Sequence, residues 1–190
     1  VSGVGYNVSK ELTSLGDKIN FISLIGKDNV GKIVVETIKE NNINPKYLVS
    51  LLQSSPHSVI IFDTTGKRQI NVDLKDIQEI KYPIENFEKA INDVDLAVLC
   101  NINFSRPFLK IAKVKNIIIA TDVHAISNLD DEYNTDFMKY ADILFLSNEQ
   151  IPCSPKDFCS MILNKFGTEI IVIGLGKDGV CISVKKDKFI

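Results

Sequence analysis

LAVLC (residues 96–100), IIIAT (117–121), ILFL (143–146) and IIVI (170–173) decide the fold. Each is a short run rich in β-branched and aliphatic residues with no polar alternation, the pattern of a strand apolar on both sides. Between and before them lie stretches of helical period. Residues 83–92 set Ile84, Phe87 and Ile91 on one face, and residues 105–113 carry Pro107 in the first turn and bury Phe108, Ile111 and Ala112. Residues 130–140 and 155–166 show similar stripes. Proline is tolerated in a first helical turn because its missing N–H has no intrahelical partner there. Strands alternating with helices imply a parallel sheet, so the expected class is α/β, a mostly parallel sheet with helices on both faces.

Upstream, residues 8–15 read as a helix stopped by Gly16, 19–25 as a strand, and the segment carrying Ile33, Val34 and Ile38 as a second helix, a unit that fits the same sheet. Residues 44–76 break this rhythm. The runs 58–62 and 68–72 flank Asp63-Thr64-Thr65-Gly66, a hairpin signal. The expected organisation is a core of residues 1–43 and 77–190 with a small β lid at 44–76. The lid offers Val59, Ile61 and Ile70 on a two-stranded element, which rarely stands alone and could pair with a second copy of the chain, a question the sequence leaves open.

The chain has 190 residues, 45% hydrophobic and 24% charged, with 22 Lys+Arg against 24 Asp+Glu. A formal charge of −2 without a basic stripe gives nucleic acid no electrostatic footprint, so it is not an expected partner. No apolar stretch has the length of a membrane span, and the N-terminal residues carry neither a basic region nor an apolar signal core; the expectation is a cytoplasmic protein. Cys100, Cys153, Cys159 and Cys181 are not paired at metal-ligand spacing and only two histidines accompany them, which argues against zinc. Cys100 and Cys181 sit in apolar runs and read as inert thiols.

In an open parallel sheet, ligands bind beyond the carboxyl ends of the strands. The residues there are polar: Asn101 and Asn103 after the first run, Thr121, Asp122 and His124 after the second, Ser147, Asn148 and Glu149 after the third. Singly, each is as well explained by a turn or a helix cap. Together, amides and carboxylates without a nucleophile–base pair suit hydroxyl recognition and magnesium-phosphate binding better than acyl transfer. Gly174, Gly176 and Gly179 spell GxGxxG, but residues 180–184 read as a strand where a dinucleotide fold requires a helix. A tight strand-to-strand turn fits better, whether purely structural or letting backbone N–H groups approach a phosphate. In the opening loop Ser2-Gly3-Val4-Gly5-Tyr6-Asn7, Asn7 reads as a helix N-cap, and the glycines would also admit a hydroxylated ligand.

With Gly3, Gly5, Asn7, Ser9, Gly16 and Gly26, the opening resembles the N-terminal signature of the ribokinase-like (PfkB) carbohydrate kinases, and Gly26, Asp28 and Gly31 resemble the following G-x-D-x-x-G stretch. Residues 58–72 look like the family's lid hairpin, Thr121-Asp122 like its strand-end Asp, Ser147-Asn148-Glu149 like its Asn/Glu segment, and residues 170–179 like its nucleotide-side strand and turn. Within the family the Gly-Val-Gly-x-Asn loop, the lid turn and the region around Asn103 are most similar to pseudouridine kinases. The resemblance implies phosphoryl transfer from ATP, with Mg2+, to a sugar or nucleoside hydroxyl. Gly3, Gly5, Asn7, Asn101 and Asn103 would then bind the substrate, Asp122, Asn148, Glu149, Gly176 and Gly179 the nucleotide, and Glu149 the metal.

Four departures accompany it. Ser2 stands where the family commonly has glycine. Ile151 occupies the place of the usual Glu, and Asn101 stands where pseudouridine kinases carry Asp. No Gly-Ala-Gly-Asp motif, which supplies the family's catalytic base and oxyanion amides, occurs in these residues. The expectation is therefore a fragment truncated at both ends and inactive by itself. A non-catalytic sugar- or nucleoside-binding module is the alternative. A nicotinamide-dependent oxidoreductase, resting on GxGxxG alone, would require a helix after Gly179.

Overall fold

The computed structural model describes residues 1–64 and 68–186. Of the lid turn, Thr65 and Gly66 lie outside the described residues, as does the terminal Ile190. The chain divides into two compact units, Val1–Asn92 and Asp93–Ile190.

The first unit runs α1 (Val4–Ser14), β1 (Ile22–Gly26), α2 (Asn29–Glu40), β2 (Tyr47–Leu52), β3 (His57–Phe62), β4 (Arg68–Asp73) and α3 (Ile84–Ala90). β1 and β2 are parallel, paired from Ile22↔Tyr47 to Ile25↔Ser50, with a register irregularity before Gly26↔Leu52. α2 is the crossover between them. β2 is a strand the sequence pattern left unassigned, and it, rather than the five-stranded sheet, supplies β1's pairing. Tyr6, Ile38 and Ile43 form a buried cluster under α1 and α2, joined by Phe21, Val34 and Leu48. Tyr82 is buried and donates its hydroxyl to the Tyr47 carbonyl at 2.8 Å. Burial pushes that phenol up to about 12.

α1 begins at Val4, four residues before the expected start, so Asn7 is not its cap. Gly3 is, at φ 144°, and the Asn7 N–H makes an intrahelical bond to the Gly3 carbonyl at 2.9 Å. A glycine suits that torsion, which side chains disfavour. β3 and β4 form the expected antiparallel hairpin, in register from His57↔Asp73 to Phe62↔Arg68. Every residue of β3 is exposed, Phe62 at 74%.

The second unit runs β5 (Leu96–Val98), a 3-10 turn (Asn103–Ser105), α4 (Arg106–Val114), β6 (Ile118–Asp122), α5 (Thr135–Tyr140), β7 (Ile143–Ser147), α6 (Pro155–Phe166), β8 (Ile170–Gly174), a second 3-10 turn (Gly176–Asp178) and β9 (Val180–Val184). The sheet order is β5-β6-β7-β8-β9, parallel throughout except for β9. α6 has its expected bounds because both ends are punctuated. The Ser154 hydroxyl accepts the Asp157 N–H, Pro155 fills the first turn, and Gly167 closes the helix in the left-handed region at φ 71°. α5 is shorter than expected, since 130–134 are spent on a turn in which the Asn134 N–H donates to the Asp131 carboxylate at 2.7 Å.

Alternation along these strands buries Ala97, Ile119, Leu144, Leu146, Ile171 and Ile173. Large aromatics from the helices (Phe108, Phe137, Phe158) are fully buried in the same unit. The opposite set, Leu96, Val98, Ile118, Phe145, Val180 and Ile182, is apolar yet exposed among the described residues. The strands therefore carry apolar residues on both faces, which is why they lacked alternation in sequence.

Candidate functional site

Because β5 to β8 are parallel, their carboxyl ends meet one edge of the sheet, and four loops leave from it. Thr121 at the end of β6 is buried, and its hydroxyl donates to the Leu99 carbonyl at 2.6 Å, tying two neighbouring strand ends together. The half-buried Asp122 carboxylate accepts the His124 N–H at 2.7 Å, and the imidazole lies 3.9 Å away. His124 takes φ 59°, a left-handed torsion that this local hydrogen bond supports. The His124 carbonyl in turn accepts the Ser147 N–H at 2.7 Å, linking the β6 end to the β7 end. Asn148 and Glu149 follow, both exposed, with the Asn148 N–H on the Gly174 carbonyl at 3.1 Å and the Glu149 N–H on the Ser147 hydroxyl at 3.1 Å.

The loop after β5 is held from the side by residues the sequence did not single out. The Asn101 side chain donates to Asn134 Oδ1 at 2.9 Å, and the Asn101 carbonyl accepts the Tyr133 hydroxyl at 3.0 Å. Arg106 donates to Asn103 Oδ1 at 3.4 Å, to the Tyr133 carbonyl at 2.9 Å and to the Asp136 carboxylate at 3.1 Å. Its guanidinium also lies 5.0 Å from the Tyr133 ring and 4.8 Å from the Phe137 ring. Asn101 and Asn103 are thus half-buried and oriented. Cys100 beside them is an unreactive thiol, pushed up to about 11 by burial and by the neighbouring Asp122 charge.

After β8 the chain turns through Gly176 and Gly179 into antiparallel β9. Both glycines have positive φ, 61° and 95°, and a Cβ at either would meet nothing within 4 Å. They are required by torsion, and the space beside them is open. A strand after Gly179 removes the nicotinamide-dependent reading, whose pyrophosphate needs a helix N-terminus there.

The remaining sequence-derived residues, Gly3, Gly5 and Asn7, belong to the first unit. Gly3 and Asn7 are exposed, and the Asn7 amide lies 3.5 Å from the Ser2 hydroxyl. The G-x-D-x-x-G stretch of that unit has a structural role. Asp28 caps α2, accepting the Gly31 N–H at 2.8 Å, and reaches across to Ser55, accepting its N–H and its hydroxyl at 2.8 Å each. Ser55 Oγ accepts the Gly26 N–H at 3.2 Å. These bonds, the Ser55 N–H foremost, hold the Asp28 carboxyl down at about 2. Ser55 had no sequence signal, since its partners lie 27 and 29 residues away.

No cluster of three His, Cys, Asp or Glu residues able to hold a metal occurs among the described residues. Glu149 is a single exposed carboxylate. Such a donor set fits a magnesium ion carried mainly by phosphate and water, not a protein cage.

The chain matches the pfkB family carbohydrate kinases over residues 1–190. It is 24% identical over 199 aligned positions to the Bifunctional protein HldE of Campylobacter fetus, covering 96% of this chain and 42% of that protein. Among solved structures it is similar to the microbiome-derived acarbose kinase Mak1, with a TM-score of 0.81 and 19% identity over 99% of this chain and 61% of that one. It is also similar to ATP-bound fructokinase from Xylella fastidiosa, with a TM-score of 0.79 and 15% identity over 97% and 64%. The chain thus spans about two fifths of the curated relative and under two thirds of these structures. The family match runs along the whole of these 190 residues: this chain belongs to the pfkB family of carbohydrate kinases.

Proposed function

We propose that the chain contributes the acceptor side and part of the nucleotide side of an ATP-dependent kinase that phosphorylates a hydroxyl of a sugar or nucleoside, pseudouridine being the first candidate. One observation carries the reading: parallel strands β5–β8 deliver Asn101, Asn103, Asp122, Asn148, Glu149 and an open glycine turn to one sheet edge. Phosphoryl transfer needs positioned groups and distributed charge more than a protein nucleophile, and amides, carboxylates and exposed backbone are that kind of set.

In this reading Asn101 and Asn103 hold the acceptor by hydrogen bonds to its hydroxyls, and the family resemblance assigns Gly3, Gly5 and Asn7 to the same substrate. Gly176 and Gly179 leave room for ATP against the backbone. Asn148 orients phosphate, and Asp122 and Glu149 organise the magnesium-bound water shell beside it. Bound magnesium ATP supplies the transferable phosphoryl group and neutralises its charge. No Gly-Ala-Gly-Asp segment occurs in these 190 residues, and the residues by themselves are proposed to bind without turnover. We place the protein in the cytoplasm and the lid hairpin against a second copy of itself.

The test is a phosphate-transfer assay of the full-length protein with magnesium ATP against pseudouridine, ribose, fructose and adenosine. Transfer to one of them supports the kinase. Calorimetric binding of an acceptor with no transfer to any would replace it with the non-catalytic binding module.

A further inference from the structure

We infer that Arg106 is a positioning residue that sets the acceptor-facing geometry of Asn101 and Asn103; this rests on the kinase reading above. Those two asparagines follow a strand of only three residues, β5. The backbone around them is tied by the Leu99 N–H on the Ala120 carbonyl, the Thr121 hydroxyl on the Leu99 carbonyl and the Ser105 hydroxyl on the Cys100 and Ile102 carbonyls, whereas the two asparagine side chains are oriented by a brace to the segment leading into α5. At one end of the brace the Asn134 amide and the Tyr133 hydroxyl take the Asn101 side chain and carbonyl. At the other, Arg106 grips Asn103, the Tyr133 carbonyl and Asp136.

The guanidinium is suited to this because it sends donors in several directions from one rigid plane, while its faces lie against aromatic rings. A side chain 27% exposed, packed near Tyr133 and Phe137, is held in one orientation rather than sampling solvent. Tyr133 is the shared element: its carbonyl and ring meet Arg106 and its hydroxyl meets Asn101. A change at Arg106 therefore reaches both asparagines, although no atom of Arg106 need touch the acceptor. Asp136 is exposed and its ion pair alone stabilises little, so the fork and the stacking, not the charge, carry the effect.

The discriminating variants are Arg106→Lys, which keeps the charge but loses the fork, and Tyr133→Phe, which keeps the ring but releases the Asn101 carbonyl. Each is made in the full-length protein, and KM and kcat are measured separately for acceptor and ATP. Positioning predicts that acceptor kcat/KM falls about tenfold or more while the ATP KM stays within about twofold. Asp136→Asn, which leaves the stacking and the other two hydrogen bonds, should retain most of the wild-type value. Variants with a lowered melting temperature but unchanged acceptor kinetics would make Arg106 merely structural and overturn the inference. Should Arg106→Lys fail to fold, Arg106→Gln, which keeps a donor but loses the fork and the ring stacking, decides by the same split. An inert wild type would instead sink the kinase reading itself, an outcome distinct from active variants with unshifted constants.

Discussion

Gly31 sits in the first turn of α2, where replacing glycine by alanine ordinarily strengthens a helix by about 1 kcal/mol. The structure reverses that expectation. A Cβ built on Gly31 lies 2.0 Å from the Gly26 carbonyl oxygen and 3.0 Å from its carbon. A carbon–oxygen contact needs about 3.3 Å, so the helix start must retreat by about 1.3 Å from the end of β1. Both partners are backbone, and neither can swing aside as a side chain would. Moreover, the same retreat stretches the 2.8 Å bond from the Gly31 N–H to Asp28, which also anchors Ser55. Overpacking of this kind costs about 1–3 kcal/mol, and a rigid contact belongs at the upper end. Net of the helix gain, Gly31→Ala should destabilise the Val1–Asn92 unit by about 2 kcal/mol, or roughly 10 °C in melting temperature for a unit of that size. Urea titration and thermal melting followed by circular dichroism would measure it. An unchanged or raised midpoint would refute the close approach of α2 to the β1 end.

Ser55→Ala removes a donor to the Asp28 carboxylate and an acceptor for the Gly26 N–H, and should cost about 1.5–3 kcal/mol by denaturant titration. Asp28 is held at about 2, below its ordinary 3.8, so its contribution is complete above the unfolded value and disappears as pH falls from about 3.8 through about 2; the acid limb of stability should move to higher pH in Ser55→Ala. With Cys159 fully buried and pushed up to about 12, by burial first and the Cys181 thiol second, and Cys100 up to about 11, maleimide at pH 8 should label Cys153 well before either. Equal rates would contradict that burial. Ile61→Lys on the hairpin, a position 58% exposed, should convert a dimer to monomer in light scattering; a wild type that is already monomeric would remove the lid-pairing proposal.

The sequence disclosed most where structure is punctuated locally. α6 had both bounds legible because Ser154, Pro155 and Gly167 announce its ends, and β5–β8 because short apolar runs separated by stretches of helical period read as parallel strands, although one of their apolar faces is exposed among the described residues. The turn after β8 was readable because two glycines before a β-branched run suit a hairpin and not a helix. Legibility failed where partners are distant. β2 exists by pairing with β1, 25 residues upstream at Ile22↔Tyr47, and its own sequence has weak alternation. α1 begins at Val4 despite glycine's poor helix propensity, since Gly3 can adopt the cap torsion that Asn7 was expected to supply. The strand-end polar residues were foreseeable from the rule that parallel sheets bind ligands at their carboxyl edge. Arg106, Tyr133 and Asn134 were not, because their contribution lies in contacts to other loops.

The most direct test is a crystal structure of the full-length protein with the phosphorylatable acceptor and a non-hydrolysable ATP analogue. The account predicts that, in the unit beginning at Asp93, the phosphates lie beside Asn148 and Gly176 and an acceptor hydroxyl bonds Asn103. Ligands seated at the amino ends of β5–β8, or on the outer surface of α4 to α6, would contradict it.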